Sequence, residues 1–102
     1  MMNSSTRNYL RRIAHNLQPA VMVGKKGVDE GVVKALDEAL IAHELVKVRF
    51  QDFKDEVRPL AEELTRRVNA AVVTTVGHVA IVFRQNENPD DQIIHIPDSV
   101  TD

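Results

Sequence analysis

The tetrapeptide Gly24-Lys25-Lys26-Gly27 concentrates the chemistry of this chain. A glycine at each end lets the main chain approach a ligand closely, because no side chain holds it off. The two lysines between them set the sign of that ligand as negative. An apolar run, Ala20-Val21-Met22-Val23, leads into the loop, and a helix-like pattern opens just after it at Asp29-Glu30. A strand passing through a basic glycine turn into a helix N-terminus forms a phosphate-contacting corner, since free amides and the helix end both present positive charge. Further cations lie within reach of such a corner. Arg7, Arg11 and Arg12 share one arc of an N-terminal helical pattern with His15, while Tyr9, Leu10, Ile13 and Leu17 share the opposite arc. Lys47 and Arg49 alternate with apolar residues on a strand pattern, and Arg84 closes another. These three would extend a cationic track, although strand cations also guard sheet edges against aggregation.

Other chemistries find little support. A nucleotide-phosphate loop of the GxxxxGK type needs more residues between its glycines and a Ser or Thr after its lysine, and Val28 follows Gly27 here. His15, His43, His78 and His95 are scattered, with no pair at helical ligand spacing. Glu62-Glu63 and Asp90-Asp91 are neighbouring acids of the kind that face solvent. The chain has no cysteine, which excludes disulfides, thiolate metal sites and a cysteine nucleophile. The expectation is a binding protein rather than an enzyme, with no cofactor and no metal. Its four aromatic residues, Tyr9, Phe50, Phe53 and Phe83, are assigned to the core or its margin. Recognition by a platform of stacked bases is therefore not expected, and backbone recognition is.

A chain of 102 residues fits one small domain with a modest core. Its net charge of −2 hides an asymmetry: residues 1–34 carry +4 and the remainder −6. The local field, not the total, is what a ligand meets. No apolar run approaches a membrane span, and the first six residues lack the apolar core of a signal peptide. A soluble cytoplasmic protein is expected, with no membrane partner.

The elements that must hold the loop follow from periodicity. A first helix, capped by Ser4, Ser5 or Thr6, should reach about Asn16. Pro19 stops it, and residues 20–23 form a short buried strand. Asp29 should cap a second helix running to His43, with Val32, Val33, Leu36, Ala39 and Leu40 as its apolar stripe. Val46 to Phe50 alternates as a strand. Phe53, Val57, Leu60, Leu64 and Val68 mark a third helix, regular from Asp55, with an irregular start because of Pro59. Ala71–Val76 and Val79–Arg84 form a hairpin on Gly77-His78, pairing Val76 with Val79, Thr74 with Ile81 and Val72 with Phe83. Asn86 to Gln92 reads as a solvated loop, and residues 93–96 as an extended docking tail. The predicted fold is an α/β two-layer sandwich in the order α-β-α-β-α-β-β. It has a four-stranded mixed sheet with helices mainly on one face. One domain spans residues 4–97, with disordered ends at 1–3 and 98–102.

These pieces resemble the YhbY-type proteins, free-standing bacterial CRM domains (chloroplast RNA splicing and ribosome maturation). The resemblance runs over residues 4–84. It rests on LRRIAHNLQPA from Leu10, VMVGKKGVDEG from Val21, ALIAHELVKV from Ala39 and VGHVAIVFR from Val76. It implies a fold similar to the C-terminal domain of bacterial translation initiation factor 3. It also implies an RNA-binding GxxG loop at Gly24, Lys25, Lys26 and Gly27, and association with rRNA of large-subunit precursors in ribosome assembly. Arg7, Arg11, Arg12, Lys47, Arg49 and Arg84 are the accompanying RNA-contact candidates. The competing expectation is a protein-interaction module that docks on a ribosomal protein or assembly factor through Asp37, Glu38, Glu62 and Glu63.

Overall fold

The computed structural model describes residues 2–98. Seven regular elements appear in the expected order: α1 (Ser4–Ala14), β1 (Pro19–Val23), α2 (Glu30–His43), β2 (Leu45–Phe50), α3 (Val57–Arg67), β3 (Ala71–Val76) and β4 (Val79–Phe83). A 3-10 turn at Pro89–Asp91 interrupts the loop after β4. The strands form one sheet in the order β1-β2-β4-β3. β1 and β2 are parallel, joined through α2, and the other neighbours are antiparallel.

Alternation along β2 decides what covers each face of the sheet. Val46, Val48 and Phe50 point to one side, where Leu36 and Leu40 of α2 and Ala61 and Leu64 of α3 complete the larger core. Leu45 points to the other side, where it meets Leu10 and Ala14 of α1 together with Val73 and Ile81. Two of the three helices thus lie on one face. α1 and the C-terminal tail, through Ile94 and Ile96, cover part of the other.

Several expectations need correction. The cap of α1 is Asn3, whose Oδ1 accepts the Thr6 N–H at 2.8 Å. Met2 packs on the second core. The ends expected to be disordered at Met1 and 99–102 lie outside the described residues. The buried stripe of α1 is Thr6, Leu10 and Ala14, while Ile13 and Leu17 stay exposed. Small residues at 6 and 14 let the helix axis approach the sheet, which rotates the expected arc. α3 starts at Val57, so Pro59 falls in its first turn, where the missing N–H has no intrahelical partner to lose. Phe53 lies outside that helix. In the hairpin, a bulge between Val72 and Thr74 pairs Val72 with Val82 rather than Phe83. The extra residue turns Val73 into the α1 core and Val72 toward α2 and α3.

Candidate nucleic-acid interface

One end of the sheet gathers three connections: the glycine loop after β1, residues 51–56 after β2, and the Gly77-His78 turn. They are tied by main-chain bonds. The Gln51 N–H donates to the Val23 carbonyl at 2.9 Å, and the Phe50 N–H donates to the His78 carbonyl at 2.8 Å. The glycine loop is a turn closed by the Gly27 N–H donating to the Gly24 carbonyl at 2.9 Å. Its two glycines have different reasons to be glycine. Gly27 sits at φ +66°, and a Cβ there would lie 3.4 Å from the Phe53 ring. Gly24 has neither constraint: a Cβ would meet nothing within 4 Å. What Gly24 leaves open is access to the main chain.

Lys25 and Lys26 are exposed at the tip. Among the described residues neither ammonium has an ion-pair partner, and neither amide N–H donates a hydrogen bond. Two exposed lysines and two amides without an acceptor therefore share one turn, an arrangement that can grip a phosphate group. The N-terminus of α2 does not join them. The Asp29 carboxylate caps it, accepting the Val32 N–H at 2.9 Å, and Glu30 occupies its first turn. Asp29 thus takes up one donor of the helix end, and its negative charge opposes an anion there.

Arg67, which the sequence reading passed over, holds the far side of the loop. Its guanidinium donates to the Val28 carbonyl at 3.2 Å and to Glu30 Oε1 at 2.5 Å. The last turn of α3 is thereby pinned to the start of α2. No local pattern reveals this, because the partners are 37 and 39 residues away.

The other candidate cations divide sharply. Arg49 is exposed, without a partner among the described residues, and stands in register with Met22 of β1 and Val79 of β4. It is one strand in from the loop. Lys47 lies two residues back on the same face and donates to the His15 carbonyl at 3.3 Å. Lys47, Arg11 and His15 line a surface cavity of about 350 Å³ with Val76, Val79 and Ile81. A cationic strip thus runs from the loop end of β2 toward α1. Arg12 is exposed on α1 without a partner among the described residues, and Arg7 reaches back to the Met2 carbonyl at 3.4 Å.

Arg84 stands apart from the other candidates. It follows β4 at the opposite end of the sheet from the loop. Its guanidinium donates to Asp37 Oδ1 at 2.8 Å, to the Val68 carbonyl at 2.7 Å and to the Asp37 carbonyl at 3.2 Å. Only 22% of its side chain is accessible. It locks α2 to the turn after α3, away from the glycine loop.

That bond also bears on the acidic faces. Asp37 is engaged by Arg84, Glu62 accepts from Arg58 at 3.0 Å, and Glu38 lies 4.0 Å from Lys34. Of the four acids proposed for protein docking, Glu63 alone lacks a partner among the described residues.

A second group missed in the sequence is Glu44, 1% exposed at the end of α2. Its carboxylate accepts the N–H groups of Asn86, Ile93 and Ile94 at 2.5, 2.8 and 2.6 Å. Burial pushes its carboxyl up, but those three donors and the nearby His95 outweigh it and hold the group below its ordinary 4.5. This clamp fastens the tail across the α1 face.

With the geometry in place, comparison with known proteins decides the family. The model of the CRS1/YhbY (CRM) domain matches residues 2–84. This chain belongs to the CRM domain family. A Haemophilus influenzae relative named "RNA-binding protein" is 33% identical over 93 residues, covering 90% of this chain and 94% of that protein. The "Probable RNA-binding protein YqeI" of Bacillus subtilis is 32% identical over 98 residues, covering 95% of this chain and all of the relative. Among solved structures, the solution structure of SAV1595 from Staphylococcus aureus superposes with a TM-score of 0.76 at 29% identity. It covers 93% of this CRM domain and 100% of that chain. The mixed sheet and three helices described above are thus the family's fold.

Proposed function

We propose that this CRM domain binds RNA by its phosphate backbone, using the Gly24–Gly27 turn as the grip and Arg49, Lys47 and Arg11 as the supporting track. The observation that carries the reading is the unengaged state of Lys25 and Lys26: both residues are exposed, and among the described residues neither their ammonium groups nor their amides have a partner. The relatives are named for RNA binding and not for a reaction, which agrees with a binding role. Within that reading, the RNA is rRNA of the precursor large ribosomal subunit, and the protein assists its assembly in the cytoplasm. The resemblance to YhbY-type proteins motivates this finer assignment. Ribosomal proteins are neighbours in such a particle, and on the acidic faces that would dock them Asp37, Glu38 and Glu62 each have a cation of this chain nearby.

The test is charge reversal at the loop. Lys25→Glu with Lys26→Glu alters two exposed residues that no other side chain depends on, so the fold should persist. Affinity for single-stranded rRNA fragments should fall. The log–log salt slope should lose about 0.7 per lost phosphate contact, or about 1.4 for both lysines. An unchanged slope would remove the loop from the interface. For the ribosomal assignment, crosslinking in cells followed by sequencing of the attached RNA should recover large-subunit rRNA. Recovery of other RNA classes would keep the binding and overturn the target.

A further inference from the structure

Phe53 is an exposed aromatic residue in the wrong place for a core. Its residue surface is 41% accessible, whereas Phe50, three positions earlier, is 1% accessible. Its backbone sits at φ +58°, a left-handed conformation that a bulky residue seldom adopts. Such a conformation persists only where the surrounding structure holds it, and it is found most often at ligand-contacting positions. The turn that imposes it is fixed at both ends: Gln51 is bonded to Val23, and the Glu56 N–H donates to the Phe53 carbonyl at 2.9 Å. The ring edge rests over Gly27, with Cε2 3.4 Å from the point where a Cβ would stand. A larger residue at 27 would displace it. The glycine loop and the ring are therefore one surface, with Lys25 and Lys26 beside an accessible aromatic ring.

Charge does not explain why residues 51–56 sit there. The segment carries Asp52, Asp55 and Glu56 against a single Lys54, so it adds nothing to phosphate attraction. What it offers is Phe53, an aromatic residue with 41% of its surface accessible. An RNA strand gripped by its phosphates at the loop presents its bases alongside, and an unpaired base is the part of RNA that gains by stacking on such a ring.

Resting on the RNA-binding reading above, we infer that Phe53 is a stacking contact for one unpaired base next to the phosphate grip, so that this CRM domain prefers single-stranded over base-free or duplex backbone. The chain contains no tryptophan, which gives a clean reporter. Phe53→Trp places a lone indole at the site. Phe53→Leu keeps apolar packing on Gly27 and removes the ring. Both variants are titrated as the full chain with a single-stranded oligoadenylate of about 12 nucleotides, within single-strand site sizes. An abasic oligomer of the same length is the control, because it keeps the phosphates and lacks the bases.

The expected result is a fall in indole emission as oligoadenylate saturates the Phe53→Trp chain. Phe53→Leu should weaken oligoadenylate binding about tenfold, in the range of one lost base stack, and leave binding of the abasic oligomer unchanged. Phe53→Tyr should restore oligoadenylate affinity. Equal oligoadenylate affinity in Phe53→Leu and the unaltered chain overturns the inference. So does an equal loss on both ligands, which would make the ring a mere support for the loop. In either case an intact effect of the Lys25 and Lys26 reversals leaves RNA binding standing. Failure of the unaltered chain to bind oligoadenylate would overturn the stacking contact, and failure to bind rRNA fragments as well would overturn RNA binding itself.

Discussion

Replacing Glu44 by glutamine tests the least local feature of this fold. Three main-chain N–H groups from residues 86, 93 and 94 converge on one buried carboxylate. Each bond is charge-assisted and worth about 1.5–3 kcal/mol net, against about 0.5–1.5 for a neutral one. Glutamine keeps the shape but removes the charge from two bonds and turns an NH2 group toward a third donor. Lost charge assistance costs about 2 kcal/mol and the unpaired donor about 1–3. A ceiling limits the sum. Ile93 is 50% exposed, so the tail can lift away and give its N–H groups to water. The loss then stops at the energy with which Ile94 and Ile96 dock. Full burial of such a side chain is worth about 1.5–3 kcal/mol, and these two are half-buried, so roughly 2–3 kcal/mol is expected. For a domain of this size that lowers Tm by about 10–20 °C. Amide exchange localises the effect: Ile93 and Ile94 should lose protection while Val48, at the centre of β2, keeps it. Native protection at Ile93 and Ile94 with an unchanged Tm would refute the clamp. Acid should reproduce the lesion. The native carboxyl lies below its ordinary 4.5, so its contribution is complete above that pH. It is lost as pH falls through the depressed native value.

Two further substitutions separate architecture from binding. Arg84→Ala removes a guanidinium with three acceptors and should cost about 2–3 kcal/mol in urea unfolding while leaving RNA affinity unchanged; weakened RNA binding in a folded variant would return Arg84 to the interface. Gly27→Ala should cost about 1–2 kcal/mol, because φ +66° and the Phe53 ring both oppose a Cβ. Gly24→Ala meets open space and should leave stability near that of the parent while weakening RNA binding. A Gly24→Ala chain with full affinity would show that the main chain at 24 does not approach the ligand.

Local patterns revealed much of this domain. Asp29 as a helix cap, the alternation of Val46 to Phe50 and the Gly77-His78 turn each follow from rules spanning a few residues, and each appears as expected. The glycine loop was legible for the same reason. Amphipathicity did not reveal which sheet face α1 would take, since a stripe marks the side of a helix that is buried and not its partner. The Arg84–Asp37 and Arg67–Glu30 bonds and the Glu44 clamp join residues 37 to 50 positions apart, where sequence spacing carries no signal. Phe53 misled for a different reason. Its spacing to Val57 fits a helical stripe, but the chain turns left-handed at 53 and the helix begins later. Of the two places expected for it, core or margin, Phe53 takes the margin, packed on Gly27.

The central claim is that RNA is held at the loop end of the sheet. Its most direct test is the change in backbone amide resonances as a single-stranded rRNA fragment is added to the labelled protein. The largest shifts are expected at Gly24 to Gly27, with Lys47, Arg49 and Phe53 next, and little change at Asp37, Val68 or Arg84. Shifts centred on Asp37 and Arg84, with Lys25 and Lys26 silent at saturation, would contradict it.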